Sequence, residues 1–457
     1  MGYLLRVAYK HLQHQPPTLK PFKPTVFVTK TFSIPENHSQ RFKLHNEVHA
    51  RAPVSLTLPV RSTVLALALS NEEKKLELSH LTNLCERYGV SPPKEDATHF
   101  STTLDSFKVR WEQHGEFSSY SFFVQNSSEE PFSRFSLEQV PNDWLNQLPG
   151  KVIVAAHASM IDANPETSNP ESISNYFSGN AIIGAEVTGG AAQAYTDFKI
   201  HADGFSRFLI LNNNLKSAQA GRLLQRLFEI ETYRVMALLT FPIVKQLAPN
   251  LNDADQQLIA ITNAMARPDS DDAKLLDELT TLAAEVENNI STHQYRLGAA
   301  NAYYNIVEQR TEDLREVRIQ GIQTIGEFMK RRLEPAIDTC VSTSNRFNRL
   351  SKRISNAGQL LRTRVDITIE RQNQALLTSM DLRAKMQLRL QETVEGLSIV
   401  AITSYVVSLM GSITKAANTS EWVNLNPTLT TGLSIPVVLL IVALGVRRIH
   451  RKIHTDD

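Results

Sequence analysis

Two imidazoles four residues apart, in His45-Asn-Glu-Val-His49, would share one face of a short helix. That spacing suits a divalent metal ion, with Glu47 and Arg51 close by as further ligand-binding residues. The zinc-protease pattern needs a glutamate directly after the first histidine, and Asn46 stands there instead. No third ligand is identifiable, so the plainer reading is a hydrogen-bonded structural role. A second constellation is Asp197-Phe-Lys-Ile-His-Ala-Asp203, with Arg207 after it. On a strand, Asp197, Lys199, His201 and Asp203 would share one face, and Phe198, Ile200 and Ala202 would face the core. A histidine between two carboxylates suits a general base or a ligand site. The plainer reading is the wet face of an antiparallel sheet with cross-strand ion pairs. The third constellation is spread along one helical run. Asp366 and Glu370 lie one turn apart, and Ser404, Ser408 and Ser412 recur every four residues. In an oligomer these would line a pore. The plainer readings are a solvated face for the acids and close helix packing for the serines. There is no Walker loop, no Gly-x-Gly-x-x-Gly after a strand, no Cys-x-x-Cys and no Gly-x-Ser-x-Gly, which disfavours an ordinary enzyme.

The elements that must hold these residues read as follows. Residues 1–37 are Pro-rich with little periodicity and are expected to form a disordered arm. Ser39–Arg51 reads as a short helix stopped by Pro53. Residues 38–212 are expected to form an α+β cytoplasmic domain with a mostly antiparallel sheet. Its strands are Ser62–Leu69, Phe107–Trp111, Phe117–Gln125, Val152–Ala156, Ala181–Val187, Gln193–His201 and Phe205–Leu211. Turns are expected at His114-Gly115, Gly189-Gly190 and Asp203-Gly204, and a helix at Asn71–Tyr88 with Asn71 as its cap. Residues 213–334 turn helical, with helices at Gly221–Leu239, Asp271–Glu308 and Thr311–Leu333. The first is apolar round most of its circumference, hence buried, with Glu231 spaced to pair with Arg234.

Residues 335–396 then read as a very long stalk helix. Phe347, Leu350, Ile354, Ala357 and Leu361 keep a three-four spacing, and the seam continues with drift through Val365, Ile369, Leu376, Met380, Leu390 and Val394. From Ala336 to Thr414 such a helix would run about 110 Å, too long for one small core. Its partners must be the preceding helices or neighbouring subunits.

Two uncharged apolar runs close the chain, 397–414 and 429–446, joined by 415–428 and followed by a basic tail, 447–457. Each is close to the length that crosses a bilayer. Arg383, Lys385 and Arg389 precede the first; Arg447, Arg448, Arg451 and Lys452 follow the second. The positive-inside rule places both long ends in the cytoplasm and the connecting loop outside. The net charge of +1 provides no basic field for nucleic acid. Two cysteines, Cys85 and Cys340, fit a reducing compartment, and the N-terminus lacks a signal-peptide pattern.

His45-Asn-Glu-Val-His-Ala-Arg51, Tyr195–Arg207, Gly221–Arg234, Leu361-Arg-Thr-Arg-Val-Asp366 and Leu388–Ser398 together resemble a family of bacterial proteins described as predicted membrane-anchored proteins with a domain of unknown function. The resemblance runs from about residue 38 to 452; Ala52-Pro53 stands where the family usually has two prolines. It implies a bacterial inner-membrane protein and brings no activity with it. The layout is also similar to the CorA-type magnesium channels, pentamers in which the first span lines the pore. Their Gly-Met-Asn signature is replaced here by Met410-Gly-Ser412. The expectation is a two-span inner-membrane protein, a homo-oligomeric scaffold or regulatory module in the lipid bilayer. The alternatives are a CorA-like cation channel and a metal-dependent enzyme with a divalent ion as cofactor.

Overall fold

The computed structural model describes residues 35–419 and 426–453, except 43, 46–52, 126–129 and 165–167. In chain order the head contains β1 (Val60–Ala68), α1 (Asn71–Arg87), β2 (His99–Leu104), β3 (Phe107–Gln113), β4 (Phe117–Gln125), a 3-10 turn (Ser136–Gln139) and α2 (Asn142–Leu145). It continues with β5 (Lys151–Asp162), α3 (Pro170–Tyr176), β6 (Ile183–Val187), β7 (Ala192–Thr196) and β8 (Ser206–Asn212). The eight strands form one mixed sheet in the order β2-β3-β4-β1-β5-β8-β7-β6. Its ladders are antiparallel except β5 with β8, which run parallel.

Both faces of the sheet are covered, which explains why Val64–Ala68 of β1 is an unbroken apolar run. Leu65 and Leu67 pack with Trp111, Tyr120 and Phe122 against Leu81 and Leu84 of α1. Val64, Phe123, Ala156 and Phe208 point the other way, to the first of the helices that follow. The expected cap of α1 shifts by one residue: the hydroxyl of Ser70 takes the amide of Glu73, whose carboxylate returns to the amide of Ser70.

Four helices follow: α4 (Ser217–Leu238), α5 (Thr240–Met265), α6 (Asp272–Asp313) and α7 (Ile325–Arg332). Glu231 and Arg234 pair on α4 at 2.8 Å, as their spacing predicts. The helix expected over Thr311–Leu333 is a correction: it is broken between α6 and α7. Arg315 and Gly321 take positive φ of 53° and 83°, and the amide and carbonyl of Glu186 in β6 bond Val317 instead. The exposed sheet edge thus takes the hydrogen bonds that a continuing helix would have used. Glu316 then accepts the amides of Ile325 and Gly326 at 2.8 and 2.9 Å, starting α7.

The stalk, α8 (Glu334–Thr419), is one helix of 86 residues, and α9 (Pro427–Ile453) packs against its far end. At about 1.5 Å per residue α8 runs about 130 Å. Phe347, Leu350, Ile354, Ala357 and Leu361 are buried against α5 and α6, so the three-four seam docks as read. Beyond Leu361 the seam leaves the head: no residue from 362 to 402 is buried.

Candidate functional site

A cavity of about 270 Å³ lies between the sheet and α4. Gly221, Leu224, Gln225, Phe228, Glu229, Thr232 and Tyr233 recur at three-four spacing and so form one face of α4. Opposite them, alternation in β3 and β4 presents Arg110 and Glu112 beside Ser121 and Ser119, which pair with them across the ladder. Helix and chain touch closely at one end. A Cβ on Gly221 would lie 1.6 Å from the carbonyl oxygen of Val54, so only glycine fits there.

The polar wall is a hydrogen-bonded chain of opposite charges. Arg110, with its side chain 8% exposed, donates to Glu112 at 2.8 Å and to Gln225 Oε1 at 3.1 Å. Gln225 donates to Glu229 at 2.7 Å, and Arg310 of α6 closes on the other oxygen of Glu229. The apolar lining is Val54, Val64, Phe123, Leu224 and Phe228. Behind the rim, Glu116 accepts from Arg296 at 2.9 Å and from Tyr303 at 2.6 Å. Burial, and then that carboxylate, push the Tyr303 hydroxyl well above its ordinary pKa. The cavity is equipped to bind: it offers paired charges, hydroxyls and an apolar surface, each guanidinium being already matched by a carboxylate.

Two further buried polar groups lie outside the cavity. Glu77 of α1 is fully buried and accepts four hydrogen bonds, from Trp111, Gln113, Ser118 and Tyr120. His157 of β5 lies between the rings of Phe135 and Phe205, with centroids 4.0 and 3.9 Å away. Its Nδ1 is 2.8 Å from the hydroxyl of Thr63, which accepts from Ser136 at 2.7 Å.

The residues singled out by sequence fall in separate places. His45 is exposed in a helical stretch with Arg41, Phe42 and Leu44, while Glu47, His49 and Arg51 lie outside the described residues. The Asp197–Asp203 segment is not a strand. β7 ends at Thr196, Phe198 takes a φ of 51°, and residues 197–205 form the loop to β8. Alternation is lost, so the faces differ from expectation: Asp197 is buried, and Ile200 is 77% exposed. Asp197 accepts from Asn180 at 2.8 Å and lies 3.0 Å from Nε2 of His201. That contact is off the line of a hydrogen bond. The loop does bring the four residues together as two pairs, because Asp203 binds Arg207 at 3.0 Å.

Asp366 and Glu370 are exposed on the free part of the stalk. Ser404, Ser408 and Ser412 are exposed too, whereas Thr403 is buried and Gly411 lies against Thr431 of α9. Ser412 donates to the carbonyl of Ser408 at 3.0 Å. Among the described residues, no group of three or more His, Cys, Asp or Glu side chains is placed to hold a metal ion. The cavity residues were not singled out by sequence. The one local signal was the charged alternation Lys108, Arg110, Glu112 in a strand whose Phe107, Val109 and Trp111 are buried.

A family model described as a protein of unknown function, DUF3422, matches residues 36–453. No curated protein matches the chain.

Proposed function

Because the chain belongs to the DUF3422 family, whose description carries no activity, we propose a role from its geometry alone: a head domain anchored in a bilayer by a two-helix hairpin and assembled through its stalk as an oligomeric scaffold or regulatory module. The observation that carries this is the uncovered apolar surface at the end of the chain. The C-terminal part of α8 and most of α9 are each long and apolar enough to cross a membrane, and almost none of either is buried within the chain. In water such a surface costs roughly 25 cal/mol per Å², whereas a bilayer removes it at no cost to the backbone, since helices satisfy their own hydrogen bonds. Basic residues at both flanks, Arg389 and Arg447-Arg448 among them, support two cytoplasmic ends at a bacterial inner membrane. The stalk supports assembly. Residues 362–402 form a single helix without a buried side chain, carrying exposed Leu376, Met380, Leu390 and Val394. A lone helix of that length gains most of its stability from packing partners, which a second copy's stalk would supply.

The test is to remove residues 395–457 and fractionate the cells. The full chain is expected in the membrane pellet and the truncated chain in the supernatant. A folded truncated chain that still sediments with membranes ends the anchoring proposal.

A second reading is a CorA-like cation channel. It draws on the serine face, which α9 leaves uncovered and so available to line an oligomer axis. Cation flux in proteoliposomes that is lost on Ser408→Leu would establish it, and no flux of common mono- and divalent cations would remove it.

A further inference from the structure

We propose that the head cavity is a binding site for a small zwitterion with an apolar tail, of the chemical class of the aliphatic and aromatic α-amino acids. The argument starts from charge. Arg110 and Glu112 stand side by side on the sheet wall, 2.8 Å apart, and Glu229 with Arg310 form a second pair on the helical wall. Gln225 links the two, accepting from one side and donating to the other. The wall therefore carries no net charge. A phosphorylated or polyanionic ligand would need an excess of cations, which is missing. A purely apolar ligand would strip water from four charged groups and return no hydrogen bonds. A head group with an anion and a cation on neighbouring atoms can face either pair, matching each side chain with its opposite.

Shape agrees with this. The volume of about 270 Å³ corresponds to about nine waters at roughly 30 Å³ each, room for a small metabolite. Beside the charges, Val64 and Phe123 of the sheet and Leu224 and Phe228 of α4 offer a surface for an aliphatic or aromatic tail. The hydroxyls of Ser119, Ser121 and Thr232 line the space between the two walls. A few polar anchors set among apolar lining residues are the usual make-up of small-molecule sites. The site belongs to the head, so it stands whether or not the hairpin enters a bilayer.

The test is isothermal titration calorimetry on the full-length protein in detergent. L-leucine and L-phenylalanine are the probes. 3-Phenylpropanoate, 2-phenylethylamine and D-glucose are the comparisons. At least one amino acid is expected to bind one per chain, with the deaminated and decarboxylated analogues about tenfold weaker or more, since each lacks one charge. Glu229→Gln should weaken the amino acid by a similar factor. Ser121→Val provides a control on folding: valine suits a strand, leaves both charge pairs in place, and exchanges a lining hydroxyl for two methyl groups. It should weaken binding while circular dichroism stays unchanged. Absence of heat with both amino acids up to about 10 mM would overturn the proposal, because that is weaker than the weakest useful affinity. So would equal binding of either analogue, preference for glucose, or undiminished binding by Ser121→Val.

Discussion

Glu77→Ala is expected to destabilise the head by about 3–5 kcal/mol, the range for breaking a buried polar network from its charged member. Glu77 sits on α1 with its side chain wholly out of solvent. One carboxylate oxygen accepts from the indole of Trp111 at 3.0 Å and the hydroxyl of Tyr120 at 2.9 Å. The other accepts from Gln113 at 3.1 Å and Ser118 at 2.7 Å. All four donors come from β3 and β4, so this one side chain fastens the helix to the hairpin. Alanine would leave four donors unmatched. Trp111, Ser118 and Tyr120 are fully buried, which keeps water from replacing the carboxylate. Glu77→Gln should fall between the two, at about 2 kcal/mol, because an amide nitrogen would then face two donors. Tyr120→Phe removes one donor and its partner bond together, so about 1 kcal/mol is expected. Trp111 and Trp144 share this cluster and report on it locally, so urea unfolding followed by tryptophan fluorescence reads the effect where it arises. An unfolding midpoint for Glu77→Ala equal to the parent's would contradict the account.

Glu77 also illustrates what the sequence hides. In Asn71-Glu-Glu-Lys-Lys-Leu-Glu77 it looks like one more solvated charge on an exposed helix, and nothing local separates it from Glu72. Its donors lie 34 to 43 residues further on. The cavity is hidden for the same reason: Arg110 and Gln225 are 115 residues apart, and Glu229 and Arg310 are 81 apart. Periodic elements were legible, because a period needs only neighbours. The β3–β4 hairpin, the buried helix α4 and the docked seam Phe347–Leu361 all follow from two- or three-four spacing. The Asp197–Asp203 segment shows the limit of the same reasoning. Its alternation is perfect, yet Thr196 ends the ladder and Phe198 turns left-handed, stacking on Phe328 at 5.0 Å. A tertiary aromatic contact and a buried carboxylate overrode the local pattern. The parallel pairing of β5 with β8 was equally out of reach, since it joins strands 50 residues apart with no turn between them.

His157 should make the head acid-sensitive in a pH range where carboxylates alone would not. Burial between Phe135 and Phe205 pushes its pKa from 6.5 down to about 3, against a small upward pull from Asp203 and with a further downward push from Arg207. The folded protein therefore holds the ring neutral while the unfolded chain takes up a proton below about pH 6.5. The stabilisation is fully present above the unfolded value and is lost as pH falls from 6.5 toward 3. With one pKa unit worth about 1.36 kcal/mol, the loss reaches about 2 kcal/mol at about pH 5 and about 4 kcal/mol in all near the folded value. Protonation would also turn Nδ1 into a donor, so that Thr63, already accepting from Ser136, would have to rotate its hydroxyl away. His157→Phe isolates the effect. It keeps a flat ring in the stack and removes the titrating group, at a fixed cost for the lost Thr63 bond that does not vary with pH. Measured by urea unfolding at about pH 8 and about pH 5, the parent should lose about 2 kcal/mol more than His157→Phe between the two. Every other titrating group is common to both proteins and cancels in the comparison. Parallel losses would mean that His157 accepts its proton in the folded head, and that the ring stack opens more readily than its packing implies.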